Sequence, residues 1–179
     1  VNARAGAEGK LTLAPASEKK RVMVVGGGPA GMEAARVAAL RGHEVCLYEK
    51  SETLGGQIPL AAAPPGRAEF LAFLRYLETQ LKKLKVRVHT GAEVTALEVE
   101  RENPDAVVLA TGALPSVPDI KGADGANVAL AWDVLSGKAD TGKEVVVIGG
   151  GAVGLETALF LARKGTVDPA TLYFLMFNQ

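Results

Sequence analysis

Apolar positions along the chain fall into two kinds of run. "RVMVVG" and "HEVCLYEK" are short and nearly uninterrupted, and "PDAVVLATG" is of the same kind. Such runs predict strands buried on both faces of a parallel sheet. "AEFLAFLRYLETQLKKL" instead carries Phe70, Leu71, Leu74, Leu77, Leu81 and Leu84 at helical spacing, which predicts an amphipathic helix. "PAGMEAARVAALRG" also reads as a helix, with Pro29 in its first turn and Gly42 at its C-terminal cap. "KVRVHTGAEVTALEVE" predicts short strands, and "KEVVVIGGGAVGLETALFLARKG" restarts the strand, turn and helix pattern from the beginning. Alternating strands and helices define an α/β fold with a parallel sheet. The expected organisation is an arm over residues 1–20, a first domain over 21–140, and the beginning of a second over 141–179.

Composition narrows the function. The 179 residues balance 20 Lys+Arg against 20 Asp+Glu, and aromatics make up 5%. Neither a basic surplus nor stacking platforms recruit nucleic acid. No stretch reaches membrane-spanning length and the first residues lack an apolar signal core, so a cytoplasmic protein with no membrane partner is expected. Cys46 is the single cysteine. It excludes an internal disulfide and a cysteine-built metal site, and it fits a reducing compartment. The chain starts at Val1 rather than Met, which reads as a piece of something longer.

The chemistry lies in two glycine-rich turns. In "VVGGGPAGMEAA", Gly26, Gly28 and Gly31 form a G-x-G-x-x-G pattern. The first glycine allows a tight turn out of the strand, the second lets backbone approach a pyrophosphate, and the third lets the helix pack on the sheet. The helix N-terminus then offers free N–H groups and a partial positive charge to that pyrophosphate. Glu49 ends the next strand about 20 residues on, where an acid accepts hydrogen bonds from ribose hydroxyls and repels a 2′-phosphate. The turn alone does not separate FAD from NAD or ADP. "LGGQ" follows Glu49 where a long cofactor would pass, and "VVLATG" ends a strand in a small flexible turn.

These stretches, together with "VVVIGGGAVGLETA", resemble the flavoproteins with two dinucleotide-binding domains. More narrowly they resemble the C-terminal region of the trimethylamine dehydrogenase and 2,4-dienoyl-CoA reductase family, multidomain relatives of old yellow enzyme. The resemblance covers roughly residues 20–165. It implies a Rossmann-like FAD/NAD(P)-binding fold in which Gly26, Gly28, Pro29, Ala30, Gly31, Glu49 and Lys50 surround the adenosine diphosphate of FAD, or a bare ADP. Gly56 and Gln57 would lie on the flavin side, and Ala110, Thr111 and Gly112 near the pyrophosphate and ribityl. Gly149, Gly151, Ala152, Val153, Gly154 and Glu156 would form the NAD(P)H turn. No catalytic acid, base or nucleophile is implied, because the cofactor carries the chemistry.

In that family an FMN-bearing barrel and a 4Fe–4S cluster precede this region, so the expected partner is the remainder of the same polypeptide. NAD(P)H would pass electrons through FAD to those centres. Two rivals remain open: a structural ADP-binding module without redox activity, and a flavoprotein of the glutamate-synthase small-subunit or ferredoxin-reductase type. The chain departs from the pattern in two places. "GGQIPLAAAPPGR" lacks the cysteine pair of the disulfide reductases, and "TVDPATLYFLMFNQ" stands where a second strand ending in an acid would select NAD or NADP. The isolated chain is therefore expected to lack steady NAD(P)H oxidation, and its apolar Tyr173–Phe177 segment can self-associate. His43, His89 and the basic "LKKLKVR" read as structural or solvated features, and Cys46 as a small hydrophobe.

Overall fold

The computed structural model describes residues 5–165 and Met176. The chain divides into two compact units, Val1–Ile58 with Leu71–Ala113, and Pro59–Phe70 with Leu114–Gln179. In chain order the elements are β1 (Arg21–Val25), α1 (Pro29–Leu40), β2 (Glu44–Tyr48), α2 (Ile58–Ala62) and α3 (Glu69–Lys83). They continue with β3 (Arg87–His89), α4 (Ala96–Glu102), β4 (Ala106–Leu109), α5 (Ala131–Leu135) and α6 (Ala152–Arg163).

The first unit is built on a four-stranded sheet of order β3-β2-β1-β4. Every neighbouring pair is parallel, so the α/β expectation holds. The register sets Val22 and Val24 beside Val45 and Leu47, facing one side of the sheet. On that side they pack with Met32 and Ala35 of α1 and with Leu77 and Leu81 of α3, and this cluster is the core. Of the apolar positions that predict α3, Leu77 and Leu81 are buried in it and Leu74 packs against it. Helix α1 has Pro29 in its first turn and closes on Gly42. Gly42 N–H donates to Ala39 O and His43 N–H to Ala38 O, the paired bonds of a Schellman cap.

Three expectations change. Residues 96–100, at the end of the stretch read as short strands, fall in helix α4. Thr95 Oγ1 accepts from the Glu98 N–H, and Glu98 Oε2 accepts from the Thr95 N–H at 2.6 Å, a complete capping box. That reciprocal cap, followed by the helix formers Ala96, Leu97 and Glu98, fixes the segment as helix.

The second change concerns β4, which is the sheet edge and not a buried strand. Leu109 is 76% exposed, because β4 has one neighbour among the described strands. Third, the run Val145–Ile148 before the second glycine turn is not a strand. No described strand pairs with it, and Val146 is 88% exposed. A strand satisfies its backbone only against a neighbour, so apolar sequence alone does not make one. The Tyr173–Phe177 segment, apart from Met176, lies outside the described residues.

Replacing Leu77, fully buried between α3 and the sheet, by Ala should cost about 2–5 kcal/mol. The same change at Leu97, 75% exposed on α4, should stay within about 0.5 kcal/mol. Urea denaturation of the two variants measures the contrast; equal losses would contradict this core.

Candidate dinucleotide-binding site

The turn from β1 into α1 separates glycines the protein needs from one it does not. Gly26 has φ +112°, where side chains are strained, and an added Cβ would strike the backbone oxygen of Ala110. At Gly31 an added Cβ would strike the Gly26 carbonyl oxygen and lie 3.3 Å from Ala110 Cβ. The first and third glycines are thus required by the crossing of helix and strand. Gly28 is different. Its backbone is extended, with φ −73° and ψ 179°, a conformation any residue adopts. An added Cβ there would meet only Gly56 Cα, at an ordinary 3.8 Å. Neither backbone conformation nor packing demands glycine at this position.

The elements around that space come from three strand ends. Glu49, at the end of β2, is 8% exposed. Its Oε2 accepts from the Gly27 N–H at 2.6 Å and its Oε1 from the Ser51 N–H at 2.8 Å. Burial pushes this carboxyl upward, but the N–H groups of Ser51 and Gly27 outweigh burial and hold it below its ordinary 4.5, with Lys50 adding a smaller pull. A hydrogen bond from the Ser51 side chain adds to the same downward pull. Lys50 itself is exposed.

The Leu54–Gln57 loop is tied to the turn through Gly55 N–H donating to Gly27 O at 2.9 Å. Gly56 sits so close that a Cβ on it would lie 2.9 Å from Gly28 Cα. Beyond the end of β4, Ala110 N–H donates to Val25 O at 2.8 Å. Gln57 Nε2 donates to Ala113 O at 3.3 Å, beside Gly112. Pro29 and Ala30 open α1, whose N-terminus has no side-chain cap. The first-turn residues thus gather at the carboxyl ends of β1, β2 and β4, with exposed Thr111 at the rim.

The second unit repeats the device. Gly149 has φ +111°, and Gly151 has φ −77° and ψ −179°, with nothing within 4 Å of an added Cβ at either. An added Cβ at Gly154 would strike the Gly149 carbonyl oxygen, as Gly31 does with Gly26. Helix α6 starts at Ala152 without a side-chain cap, and Val153 is exposed. Glu156, one turn in, is ion-paired with Arg67 of the Pro59–Phe70 excursion. Sequence reading missed Arg67: the two lie 89 positions apart and no local spacing links them.

Parallel sheet, glycine turns and an acid fixed at the end of β2 together define a protein of the dinucleotide-binding α/β class. Residues 20–172 match the pyridine nucleotide-disulphide oxidoreductase family, and the chain belongs to it. It is 49% identical over 183 residues to a metal reductase of Desulforamulus reducens, matching 100% of this chain and 27% of that protein. It is 52% identical over 170 residues to an NADH oxidase of Thermoanaerobacter brockii, with 92% of this chain and 26% of that protein covered. The solved 2-naphthoyl-CoA reductase, in complex with 2-naphthoyl-CoA, superposes with a TM-score of 0.88 at 41% identity over 92% of this chain and 25% of that one.

The chain therefore spans about a quarter of the length of these relatives. The narrower resemblance, to the 2,4-dienoyl-CoA reductase-like multidomain flavoproteins, is borne out with it. The family binds FAD and NAD(P)H. Its name includes disulphide chemistry, but the single Cys46 of this chain lies half-buried in β2, and burial raises its thiol above the ordinary range. Among the described residues no helix is long and apolar enough to cross a membrane.

The Glu49 carboxylate has a defined linkage. A carboxyl lowered on folding stabilises the fold above its unfolded value, and that contribution is lost as pH falls through the folded value. Glu49→Gln should therefore lower stability at neutral pH and flatten the loss of stability on acidification below about pH 4.5. Urea midpoints measured from pH 7 to pH 3 check this; parallel curves for parent and variant would contradict it.

Proposed function

We propose that this chain is the FAD- and pyridine-nucleotide-binding portion of an NAD(P)H-dependent flavin oxidoreductase. Residues 21–140 hold the adenosine diphosphate end of FAD, or ADP alone. Residues 141–179 begin the NAD(P)-binding part. The reading rests above all on Gly28, a glycine that the protein's own backbone and packing do not require. A pyrophosphate at that opening meets backbone N–H groups at the uncapped start of α1, in a place where any side chain would intrude.

Each residue has a part. Gly26 and Gly31 shape the turn, while Pro29 and Ala30 present its N-terminus. Glu49, held from both oxygens, receives the ribose hydroxyls with its remaining lone pairs, and Lys50 adds positive charge at the rim. Gly56 and Gln57 flank the flavin side, and Ala110, Thr111 and Gly112 the pyrophosphate and ribityl. Gly149, Gly151, Ala152, Val153, Gly154 and Glu156 receive the pyridine nucleotide. Bound flavin supplies two-electron chemistry with NAD(P)H; the chain binds and orients. The natural partner is the rest of a longer polypeptide carrying FMN and 4Fe–4S centres, in the cytoplasm, where Cys46 stays reduced.

Calorimetric titration with FAD, ADP and 2′-phosphorylated ADP tests the first turn. The parent should bind FAD or ADP and prefer ADP over its 2′-phosphorylated form. Gly28→Val should abolish that binding while lowering the unfolding midpoint only by the loss of an N-cap glycine, since an added Cβ meets no protein atom closer than 3.8 Å. Undiminished affinity in Gly28→Val would refute the assignment. ADP binding without FAD binding, and a colourless protein, would identify the structural ADP module instead.

A further inference from the structure

The Pro59–Phe70 excursion belongs to the second unit although the chain on both sides of it builds the first. Its Arg67 is held from three directions. The Arg67 N–H donates to Pro64 O and the Arg67 carbonyl accepts from the Phe70 N–H, which fixes the backbone. Its guanidinium lies over the Phe70 ring, 5.6 Å from the centroid. Its Nη2 donates to Glu156 Oε1, an ion pair with side-chain exposures of 43% for Arg67 and 29% for Glu156.

The position of Glu156 gives the pair a meaning beyond attachment. It is the fifth residue after Gly151, so at the helical rise its backbone stands roughly 7.5 Å along the axis from the N-cap. A carboxylate at that distance offsets the partial positive charge that the uncapped start of α6 presents. It would also repel a pyrophosphate, which is a dianion at neutral pH. A guanidinium bonded to that carboxylate cancels both effects.

We infer that Arg67 is a positioning residue of the pyridine-nucleotide turn: by neutralising and orienting Glu156 it keeps the Gly149–Gly154 turn electrostatically open to a dinucleotide pyrophosphate. The inference rests on the second-turn reading above. It assigns a positioning role to the "PPGR" stretch of the segment that lacks the disulfide reductases' cysteine pair. The plain alternative is that the pair only tethers the excursion to α6.

NADH fluorescence titration of the full chain tests it, with ADP binding at the first turn and thermal unfolding measured on every variant. Arg67→Met should weaken NADH binding on the order of tenfold, the scale of an unscreened charge at such a distance. ADP binding should not change. Arg67→Lys should retain most of the affinity. Combining Arg67→Met with Glu156→Gln should bring affinity to within about twofold of Glu156→Gln alone, since the repelling charge is then gone. The deficit of Arg67→Met should shrink in about 1 M salt, where charges are screened beyond about 3 Å. Arg67→Gln keeps a hydrogen bond to the carboxylate and loses only charge. It should show the same salt-dependent deficit, and it replaces Arg67→Met should the latter not fold.

Parent-like NADH affinity in Arg67→Met or Arg67→Gln would overturn the inference while leaving the second-turn reading intact. A deficit that persists in the double variant and in high salt would likewise reduce the pair to a tether. No NADH binding by the parent chain would overturn the second-turn reading, and this inference with it.

Discussion

The first unit depends on one close crossing. The start of α1 passes so near the end of β1 that residue 31 can carry no Cβ, because the Gly26 carbonyl occupies its place. The Gly26 side of the turn is equally tight against Ala110, which follows β4. The crossing therefore fixes helix, central strand and edge strand together. It also aims the uncapped helix end at the carboxyl edge of the sheet, where open α/β folds bind their ligands. Bulk at either glycine would push the helix away, and the core face of Val22, Val24, Met32 and Ala35 would lose its fit.

Within that geometry the three glycines of one pattern answer to different forces. Gly26 answers to backbone conformation and Gly31 to packing; Gly28 answers to neither. The acid nearby has a comparable double character. Glu49 satisfies Gly27 and Ser51 and so helps to hold the turn, yet its remaining lone pairs are what a ribose would use. A carboxylate already held by two backbone N–H groups is fixed in place before any ligand would arrive. Such preorganisation lowers the cost of binding.

Much of this was legible in the sequence because it is local. A continuous apolar run, three spaced glycines, a Pro at the first helical position and a Gly after the last one specify β1, the turn and α1 within about twenty residues. The amphipathic spacing of Leu74, Leu77 and Leu81 likewise located α3. What was not legible depends on partners. The run Val145–Ile148 has strand composition but no described neighbour, and β4 has the composition of a central strand at an edge position. Helix α4 was a misreading of another kind. Its signal, Thr95 three residues before Glu98, is present in the sequence inside the stretch read as short strands. The Arg67–Glu156 pair had no sequence signal, since nothing short of the fold brings residues 89 positions apart together.

The two turns also show where the geometry of the glycine turn comes from. The first follows a strand paired on both sides, and the second follows a segment with no described partner strand. Even so, Gly26 and Gly149 share φ values of +112° and +111°, and Gly28 and Gly151 share the same extended backbone. In both, the third glycine packs against the carbonyl of the first. Sheet pairing is therefore not what shapes the cradle. The glycine spacing and the helix that follows are sufficient, and the sheet contributes what the turn alone lacks. In the first unit it carries Glu49 and the Gly56 and Ala110 backbones to the cradle's rim. In the second unit the described contact beside the turn is the ion pair of Arg67 with Glu156, which lies one turn into α6.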